Sequence, residues 1–122
     1  MKRVSVVIPN WDGKEILGSC IESLNRQEYD DFETIVVDNG STDGSVAFVR
    51  KNFPQVTVIC FAENRGFSAA VNAGIAASSS AYVALLNNDT LVQPLWLKEL
   101  VGALDANAEV GSVASKILFF SD

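Results

Sequence analysis

The sequence predicts an α/β fold, a three-layer α/β/α sandwich built on a mostly parallel, Rossmann-like sheet. Short β-branched runs alternate with segments whose apolar residues recur at helical spacing, and polar turn-forming clusters separate them. Strands that alternate with helices in this way pair in parallel through right-handed crossovers. With 122 residues and 48% apolar content, the chain is long enough for one domain with one packed core.

The first strand and the first helix are predicted from two adjacent patterns. Residues 4–8 form a short, nearly all-apolar run, which is typical of a central strand buried on both faces. Asp12 then predicts a helix start, because its side chain can cap free backbone N–H groups and Glu15 follows three residues later. The apolar stripe of this helix is expected to comprise Ile16, Cys20, Ile21 and Leu24.

The rest of the chain repeats the pattern. Asp43 is expected to cap a short helix that stops before Pro54, and residues 67–75 predict a helix rich in small side chains. Pro94 is expected to open the last helix, which would bury Leu97, Leu100, Val101 and Leu104. Further strands are predicted at residues 34–37, 56–61 and 82–86, with a last strand-like segment at 110–120.

The charge and cysteine content exclude several classes of function. Nine basic and fifteen acidic residues give a net charge of −6, and an acidic chain without a basic stripe argues against nucleic acid as a partner. The absence of histidine excludes Ser-His and Cys-His catalytic pairs within the chain. Cys20 and Cys60 are predicted to be buried reduced thiols, and alone they do not make a usual zinc ligand set.

The expected location is the cytoplasm. No run of the sequence is long and apolar enough to span a bilayer, and residues 1–4 lead into the first strand without the apolar stretch of a signal peptide. If the full-length protein carries a membrane segment elsewhere, the inner face of the membrane is the expected place.

Three polar clusters follow predicted strands at the point where each strand ends. They lie at residues 9–12, 38–43 and 87–89, after the first, second and fourth strands. Open parallel sheets bind ligands beyond the carboxyl ends of their strands. If the first strand lies between the second and the fourth, all three clusters meet in one crevice, which predicts a binding site there.

Two aspartates in these clusters each have a functional and a structural interpretation. Asp38 follows four apolar residues, so it either accepts a hydrogen bond from the ring N–H of a pyrimidine base or binds backbone N–H groups of the next turn. Asp89 follows the predicted buried fourth strand. It either binds Mg²⁺ or Mn²⁺ beside a diphosphate or forms an Asx turn. The neighbours Asn39, Ser41 and Thr42 are expected to be turn formers.

Two larger side chains near the clusters are also open to both interpretations. Arg65 precedes the small-residue helix, where it either pairs with a phosphate or is solvated. Trp11 either stacks on a base or covers the rim of the core.

Four segments, in this order along the chain, together resemble family 2 glycosyltransferases. Residues 5–11 look like the first strand and loop of that family, and residues 36–45, Val-Val-Asp-Asn-Gly-Ser-Thr-Asp-Gly-Ser, resemble its second motif closely. Residues 64–75 match the third motif, and residues 85–90 lie where the family carries its Asp-x-Asp metal motif. The Asn-Trp start and the Asn-Asn-Asp-Thr form look most like the bacterial rhamnosyltransferase-type branch.

The resemblance implies a GT-A fold that binds a UDP- or dTDP-sugar. It implies that Asp38 reads the pyrimidine base, and that Pro9 and Trp11 line the base site. It further implies that Asn87 faces the ribose and that Asp89 binds a Mg or Mn ion bridging the diphosphate. With Asp89 as the metal ligand, the nucleotide-binding residues are predicted to be Pro9, Asn10, Trp11, Asp38, Arg65, Asn87 and Asn88.

The implied reaction is an inverting sugar transfer to a glycan or lipid-linked acceptor, in the biosynthesis of cell-envelope polysaccharide. The metal neutralises the charge that builds on the leaving diphosphate. Asn87 departs from the family pattern, because the first Asp of the metal motif usually stands there.

The sequence also departs from the family in its length, because the family's general base lies well downstream of the metal motif. Residues 1–122 are therefore expected to be the donor-binding half of a truncated domain. Such a chain lacks the acceptor-binding half, has no catalytic residue of its own and is inactive alone. An uncovered sheet edge in such a chain predicts that two copies pair through it.

Three other functions are alternatives to a glycosyltransferase. A nucleotide-binding or assembly module without catalysis shares the fold and stays an alternative. A dinucleotide-dependent oxidoreductase needs a Gly-x-Gly-x-x-Gly turn after the first strand, where this chain has Pro-Asn-Trp-Asp-Gly. A phosphorelay receiver needs a lysine after a late strand, and Lys116 is a poor match for it.

Overall fold

A computed structural model describes residues 2–107 and residue 111, which form a parallel sheet with helices on both faces. The predicted strand-like segment at residues 110–120 lies outside the described residues, except for position 111. No helix in the described part is long and apolar enough to cross a membrane. The elements are β1 (Val4–Asn10), α1 (Lys14–Asn25), β2 (Phe32–Asp38), α2 (Ser45–Asn52), β3 (Thr57–Cys60), α3 (Phe67–Ala77), β4 (Tyr82–Leu85) and α4 (Trp96–Ala106).

The described sheet has the strand order β3-β2-β1-β4, with every pair parallel. β1 therefore lies between β2 and β4, which confirms the order on which the predicted crevice depends. β1 runs two residues past its predicted end because Pro9 and Asn10 continue the pairing with β2. That register places Asn10 opposite Asp38, the last residue of β2.

Helices cover both faces of the sheet, which confirms the predicted α/β/α sandwich. α1, α2 and α4 pack on the face of β1 that carries Val4, Val6 and Ile8, and α3 packs on the opposite face against Val7. The four aliphatic residues of β1 are at most 2% exposed, so this strand is buried on both faces as its run of apolar residues predicts. Each such side chain contributes about 1.5–3 kcal/mol through burial.

The apolar stripe of α1 differs from the prediction at one position. Leu17 is fully buried, whereas Ile16 is 45% exposed. Cys20, Ile21 and Leu24 are buried as predicted. Leu17 completes an i, i+3, i+4, i+7 set with these three residues, and that spacing follows the 3.6-residue period more closely than a stripe beginning at Ile16.

The start of α1 is capped from another loop, so the prediction that Asp12 caps this helix is wrong. Asp12 lies in the left-handed region with φ 51°, and its Oδ1 accepts a hydrogen bond from the backbone N–H of Thr42 at 2.7 Å. Gly13 occupies the N-cap position, which has no side-chain cap. Asp43 Oδ2 instead accepts the backbone N–H of Lys14 at 3.0 Å.

Asp43 also serves the start of α2, although Gly44 is the residue in the N-cap position. Its Oδ1 accepts the backbone N–H of Ser45 at 3.0 Å and the Ser45 hydroxyl. Burial alone would raise the pKa of Asp43, but the hydrogen bonds from Ser45 and Lys14 outweigh it and lower that pKa. The carboxylate is therefore charged at neutral pH and holds the starts of α1 and α2 together.

α4 begins at Trp96 and not at Pro94, where it was predicted to open. A tertiary contact accompanies this start, because Gln27, two residues after the end of α1, accepts the backbone N–H of Leu97 through its Oε1 at 3.0 Å. Of the side chains predicted to be buried by this helix, Leu97 and Val101 are buried and Leu100 and Leu104 are half-buried.

α3 lies close to β1 because a glycine faces the sheet. A Cβ at Gly74 would lie 2.3 Å from Cγ1 of Val7, which is fully buried. Such a distance is well inside van der Waals contact, so no side chain fits at this position unless α3 moves away from the sheet.

Gly74→Ala is expected to lower the free energy of unfolding by about 1–3 kcal/mol, because overpacking forces α3 off β1. Urea denaturation of the 122-residue chain measures this. Gly102→Ala is a matched control inside α4, where a Cβ meets nothing within 4 Å. The control should be neutral or stabilising by up to about 1 kcal/mol, from helix propensity. Equal effects of the two variants would contradict the close packing.

Candidate functional site

A cleft of about 340 Å³ opens at the carboxyl ends of the central strands. Each of the three predicted polar clusters contributes to it, from the ends of β1, β2 and β4. The loop before α3 and the first residue of that helix form a further wall. The cleft is lined by Pro9, Asn10, Trp11, Asn39, Asn64, Phe67, Asn87, Asn88 and Asp89.

Asp38 lies beneath the floor of the cleft and is 3% exposed. Its Oδ1 accepts hydrogen bonds from Asn10 Nδ2 at 3.1 Å and Ser41 Oγ at 2.7 Å. Its Oδ2 accepts the backbone N–H of Ser41 at 2.9 Å, which is the turn interaction that the structural interpretation expects. A carboxylate accepts about four hydrogen bonds, so Oδ2 has capacity for a further donor. The role of Asp38 in reading a base stays a prediction.

The buried amide of Asn10 connects this floor to the loop after β4. Asn10 is 2% exposed, and its Oδ1 accepts a hydrogen bond from Asn88 Nδ2 at 2.8 Å. Gly13 makes room for the pair, because a Cβ there would lie 2.3 Å from Asn88 Nδ2 and 2.5 Å from Asn10 Oδ1. The ends of β1, β2 and β4 are thus joined by one chain of hydrogen bonds.

Asn39 binds a loop that is distant in sequence, although the sequence indicated only a local turn. It is 5% exposed; its Nδ2 donates to the carbonyl of Gly66 at 3.0 Å and its Oδ1 accepts the N–H of Arg65 at 2.8 Å. Gly40, with φ 79°, allows the contact, since a Cβ there would lie 2.6 Å from Cα of Glu63. This clamp fixes the start of α3 on the cleft wall.

Two exposed aromatic side chains flank the cleft. Trp11 is 58% exposed and Phe67 is 60% exposed, the highest values among the large apolar side chains of the described residues. Both line the cleft. The sequence indicated Trp11 but not Phe67, because Phe67 was interpreted only as part of a helical apolar spacing, and its wall position follows from the Asn39 clamp.

Arg65 lies beside the cleft but not in its lining. Its guanidinium carbon is 4.8 Å from the centroid of the Phe61 ring, which is the geometry of a cation–π contact. The predicted pairing of Arg65 with a phosphate stays a prediction.

One carboxylate, that of Asp89, carries the only formal charge among the described residues that line the cleft. The remaining polar lining consists of asparagine amides. Carboxylate and amide oxygens suit Mg²⁺ and Mn²⁺, which take a few protein oxygens and complete their shells with phosphates and water. Within residues 2–107 and 111, no three or more histidine, cysteine, aspartate or glutamate side chains are grouped to hold a metal.

The two cysteines have different environments. Cys20 is buried, its thiol donates to the carbonyl oxygen of Asn87 at 3.7 Å, and burial raises its pKa to about 11. Cys60 is exposed, so the prediction of a buried thiol is wrong there. β3, which Cys60 ends, lies at the edge of the described sheet and is only partly covered.

The structure brings together most of the residues predicted for the site. The predicted residues in the lining are Pro9, Asn10, Trp11, Asn87, Asn88 and Asp89, while Asp38 lies beneath it and Arg65 beside it. The lining residues that were not predicted individually as site residues are Asn39, Asn64 and Phe67.

A cleft where the strand order of a parallel sheet reverses is the ligand-binding position of open α/β proteins, and this chain is of that class. Here β1 is that point, since β2 and β3 lie on one side of it and β4 on the other. The family model "Glycosyl transferase family 2" matches residues 5–122, and the chain belongs to this family.

Curated relatives agree with this assignment. The chain is 32% identical over 112 residues to an uncharacterized glycosyltransferase, alr2836, of Nostoc sp., covering 89% of this chain and 35% of that protein. It is 34% identical over 104 residues to the succinoglycan biosynthesis protein ExoO of Rhizobium meliloti, covering 84% of this chain and 30% of that protein. The chain spans about a third of the length of these relatives.

Solved structures confirm the GT-A fold. S. aureus TarS 1-349 has a TM-score of 0.79 at 24% identity, covering 87% of this chain and 33% of that one. TarS 1-349 has also been solved in complex with UDP and with UDP-GlcNAc. The mannosyltransferase PcManGT of Pyrobaculum calidifontis, in complex with GDP-Man and Mn²⁺, has a TM-score of 0.79 at 26% identity. The match covers 84% of this chain and 32% of PcManGT.

A thiol reagent such as DTNB at pH 8 is expected to label one cysteine of the folded chain and both after denaturation. Cys60 is exposed, whereas the buried Cys20 thiol, with its pKa of about 11, holds little thiolate at that pH. Cys60→Ser should abolish the native labelling, and Cys20→Ser should leave it unchanged. Fast labelling of Cys20 in the folded chain would contradict its burial.

Proposed function

We propose that the cleft binds the nucleoside diphosphate of a UDP- or dTDP-sugar, and that the whole protein transfers the sugar with inversion of configuration. The observation that carries this proposal is the convergence of three strand-end loops on one cleft, which has aromatic walls and the carboxylate of Asp89 in its lining. The TarS complexes with UDP and UDP-GlcNAc support a nucleotide-sugar donor.

The charge of the cleft supports a role for a divalent cation. A diphosphate is strongly anionic, and no lysine or arginine is among the described lining residues. A cation that enters with the ligand would supply countercharge, and the exposed Asp89 carboxylate is the described lining group that attracts a cation. Bound there, Mg²⁺ or Mn²⁺ would neutralise charge on the departing diphosphate. The PcManGT complex with GDP-Man and Mn²⁺ gives this proposal further support.

The base is proposed to lie between the ends of β1 and β2. Trp11 and Phe67 offer flat apolar surfaces, and base–aromatic stacking contributes about 1–3 kcal/mol per base. Asp38 lies below, and its Oδ2 can accept the ring N–H of a pyrimidine. Asn87, which follows β4, is proposed to face the ribose.

The remaining parts of the proposal concern the whole protein. The acceptor is proposed to be a glycan or a lipid-linked molecule in cell-envelope polysaccharide synthesis. The name of the ExoO relative, a succinoglycan biosynthesis protein, supports a role in polysaccharide synthesis. The general base and the acceptor-binding half are proposed to lie outside residues 1–122. Two copies of the chain are proposed to pair through the outer edge of β4, which has no partner strand among the described residues and carries the exposed Val83 and Leu85.

Asp89→Ala is expected to remove the gain in UDP or dTDP affinity that Mn²⁺ produces, a loss of about tenfold or more, ~1.4 kcal/mol or more. The physical reason is that the alanine leaves no carboxylate in the cleft to hold the cation. Titration calorimetry with and without Mn²⁺ measures this. Asp30→Ala is the matched control, since Asp30 is an exposed aspartate before β2, at the opposite end of the sheet. An unchanged Mn²⁺ effect in Asp89→Ala would refute the metal assignment.

Trp11→Ala and Phe67→Ala are each expected to weaken uridine or thymidine binding by about 1–3 kcal/mol, the value of one lost stacking surface. Calorimetry with the nucleosides isolates this contribution from the phosphates. Ile16→Ala removes an apolar side chain of comparable exposure outside the cleft and should leave the affinity unchanged. If the nucleosides bind both aromatic variants as well as the unmodified chain, the base lies elsewhere.

A further inference from the structure

We infer that Asn10 and Asn88 form a positioning relay, which leaves the side-chain oxygen of Asn88 free to serve, with Asp89, as a ligand where these two residues would hold a cation. The inference rests on the proposed function, since it concerns the metal and diphosphate end of the same cleft. It assigns Asn10 the role of positioning Asn88. It also assigns Oδ1 of Asn88 the role of a cation ligand.

The relay begins at a group whose hydrogen bonding has one direction. Both carboxyl oxygens of Asp38 accept hydrogen bonds from Ser41, and the amide of Asn10 turns its Nδ2 toward Oδ1 of the same carboxyl group. The opposite orientation would bring two oxygens together in a buried site, where unpaired polar atoms are costly. Asn10 therefore turns its Oδ1 toward the loop after β4.

The same argument fixes the next amide. Asn10 Oδ1 can only accept, so Asn88 must present its Nδ2 to it, and the bond is 2.8 Å long. The Oδ1 of Asn88 is left on the other side of the amide, and no residue of the described chain donates to it. Asn88 lines the cleft next to Asp89, and an amide oxygen in that place is a ligand of the kind that Mg²⁺ and Mn²⁺ prefer.

The packing around the Asn10–Asn88 hydrogen bond shows how this bond can be broken without substituting either asparagine. Gly13 has φ −104° and ψ 27°, which an alanine also adopts. The atoms within 3.0 Å of a built Cβ are Asn88 Nδ2 and Asn10 Oδ1, the two atoms of the hydrogen bond. Both lie at the ends of side chains that can move apart, so Gly13→Ala should act as a wedge in the relay while the backbone stays in place.

The test compares the unmodified 122-residue chain with Gly13→Ala and Asn88→Leu, and uses Gly102→Ala as the glycine control. Calorimetry gives the affinities for UDP and dTDP with and without Mn²⁺, and for uridine and thymidine, which carry no phosphate. The exchange rate of the Asn88 side-chain amide protons, read by NMR in the unmodified chain, Gly13→Ala and Gly102→Ala, reports the hydrogen bond without any nucleotide.

Both relay variants are expected to reduce the Mn²⁺-dependent gain in affinity by about tenfold, the scale of one or two lost polar contacts. Nucleoside affinity should fall less than the Mn²⁺-dependent gain, because the base is proposed to lie between the ends of β1 and β2 and not beside Asn88. Gly13→Ala should also speed the exchange of the Asn88 amide protons. The control should change none of these.

Two results would overturn the relay. One is an unchanged Mn²⁺ effect in Gly13→Ala despite fast amide exchange, which would show that the orientation of Asn88 does not matter to the cation. The other is an equal loss of nucleoside and diphosphate binding, which would show a collapsed cleft. Failure of the unmodified chain to bind any of these nucleotides would instead overturn the proposed function, and the relay's ligand role with it.

Discussion

The buried carboxylate of Asp38 is the group around which the site is organised. A carboxyl group that is 3% exposed is tolerated only when its oxygens are hydrogen-bonded, and here Asn10 and Ser41 donate to them. Because Asn10 is the last residue of β1 and also accepts a hydrogen bond from Asn88 after β4, the hydrogen bonding of one buried carboxyl group joins three strand ends. The shape of the cleft floor follows from that requirement.

The loops above this floor are also joined to one another by hydrogen bonds. The β1–α1 and β2–α2 loops cross-cap each other, with Asp12 bound to the backbone of Thr42 and Asp43 bound to the backbone of Lys14. Asn39 clamps the loop before α3 in the same way. A cleft whose walls are held by buried or paired polar groups is arranged before any ligand arrives, which reduces the ordering cost of binding.

Two predictions failed because the local sequence pattern did not determine the contacts of the residue. Asp12 has the spacing of a helix cap, but its left-handed backbone directs the carboxylate to Thr42 in a loop 30 positions away. The buried thiol expected at Cys60 assumed a covered strand, and β3 is an edge strand of the described sheet. In each case the local pattern was present, and a distant contact or the position in the sheet decided the outcome.

The sequence by itself determined the central strand, the order of elements and the positions of the polar clusters, because apolar runs and turn residues act through local spacing and burial. It also indicated most of the cleft lining, since the carboxyl ends of parallel strands share one edge. Only the tertiary structure decided that Asn39 clamps a distant loop, that Phe67 stands on the cleft wall and that Asn10 joins Asp38 to Asn88. These contacts join residues 25 or more positions apart, and their geometry depends on how the loops pack, which no periodicity along the chain encodes.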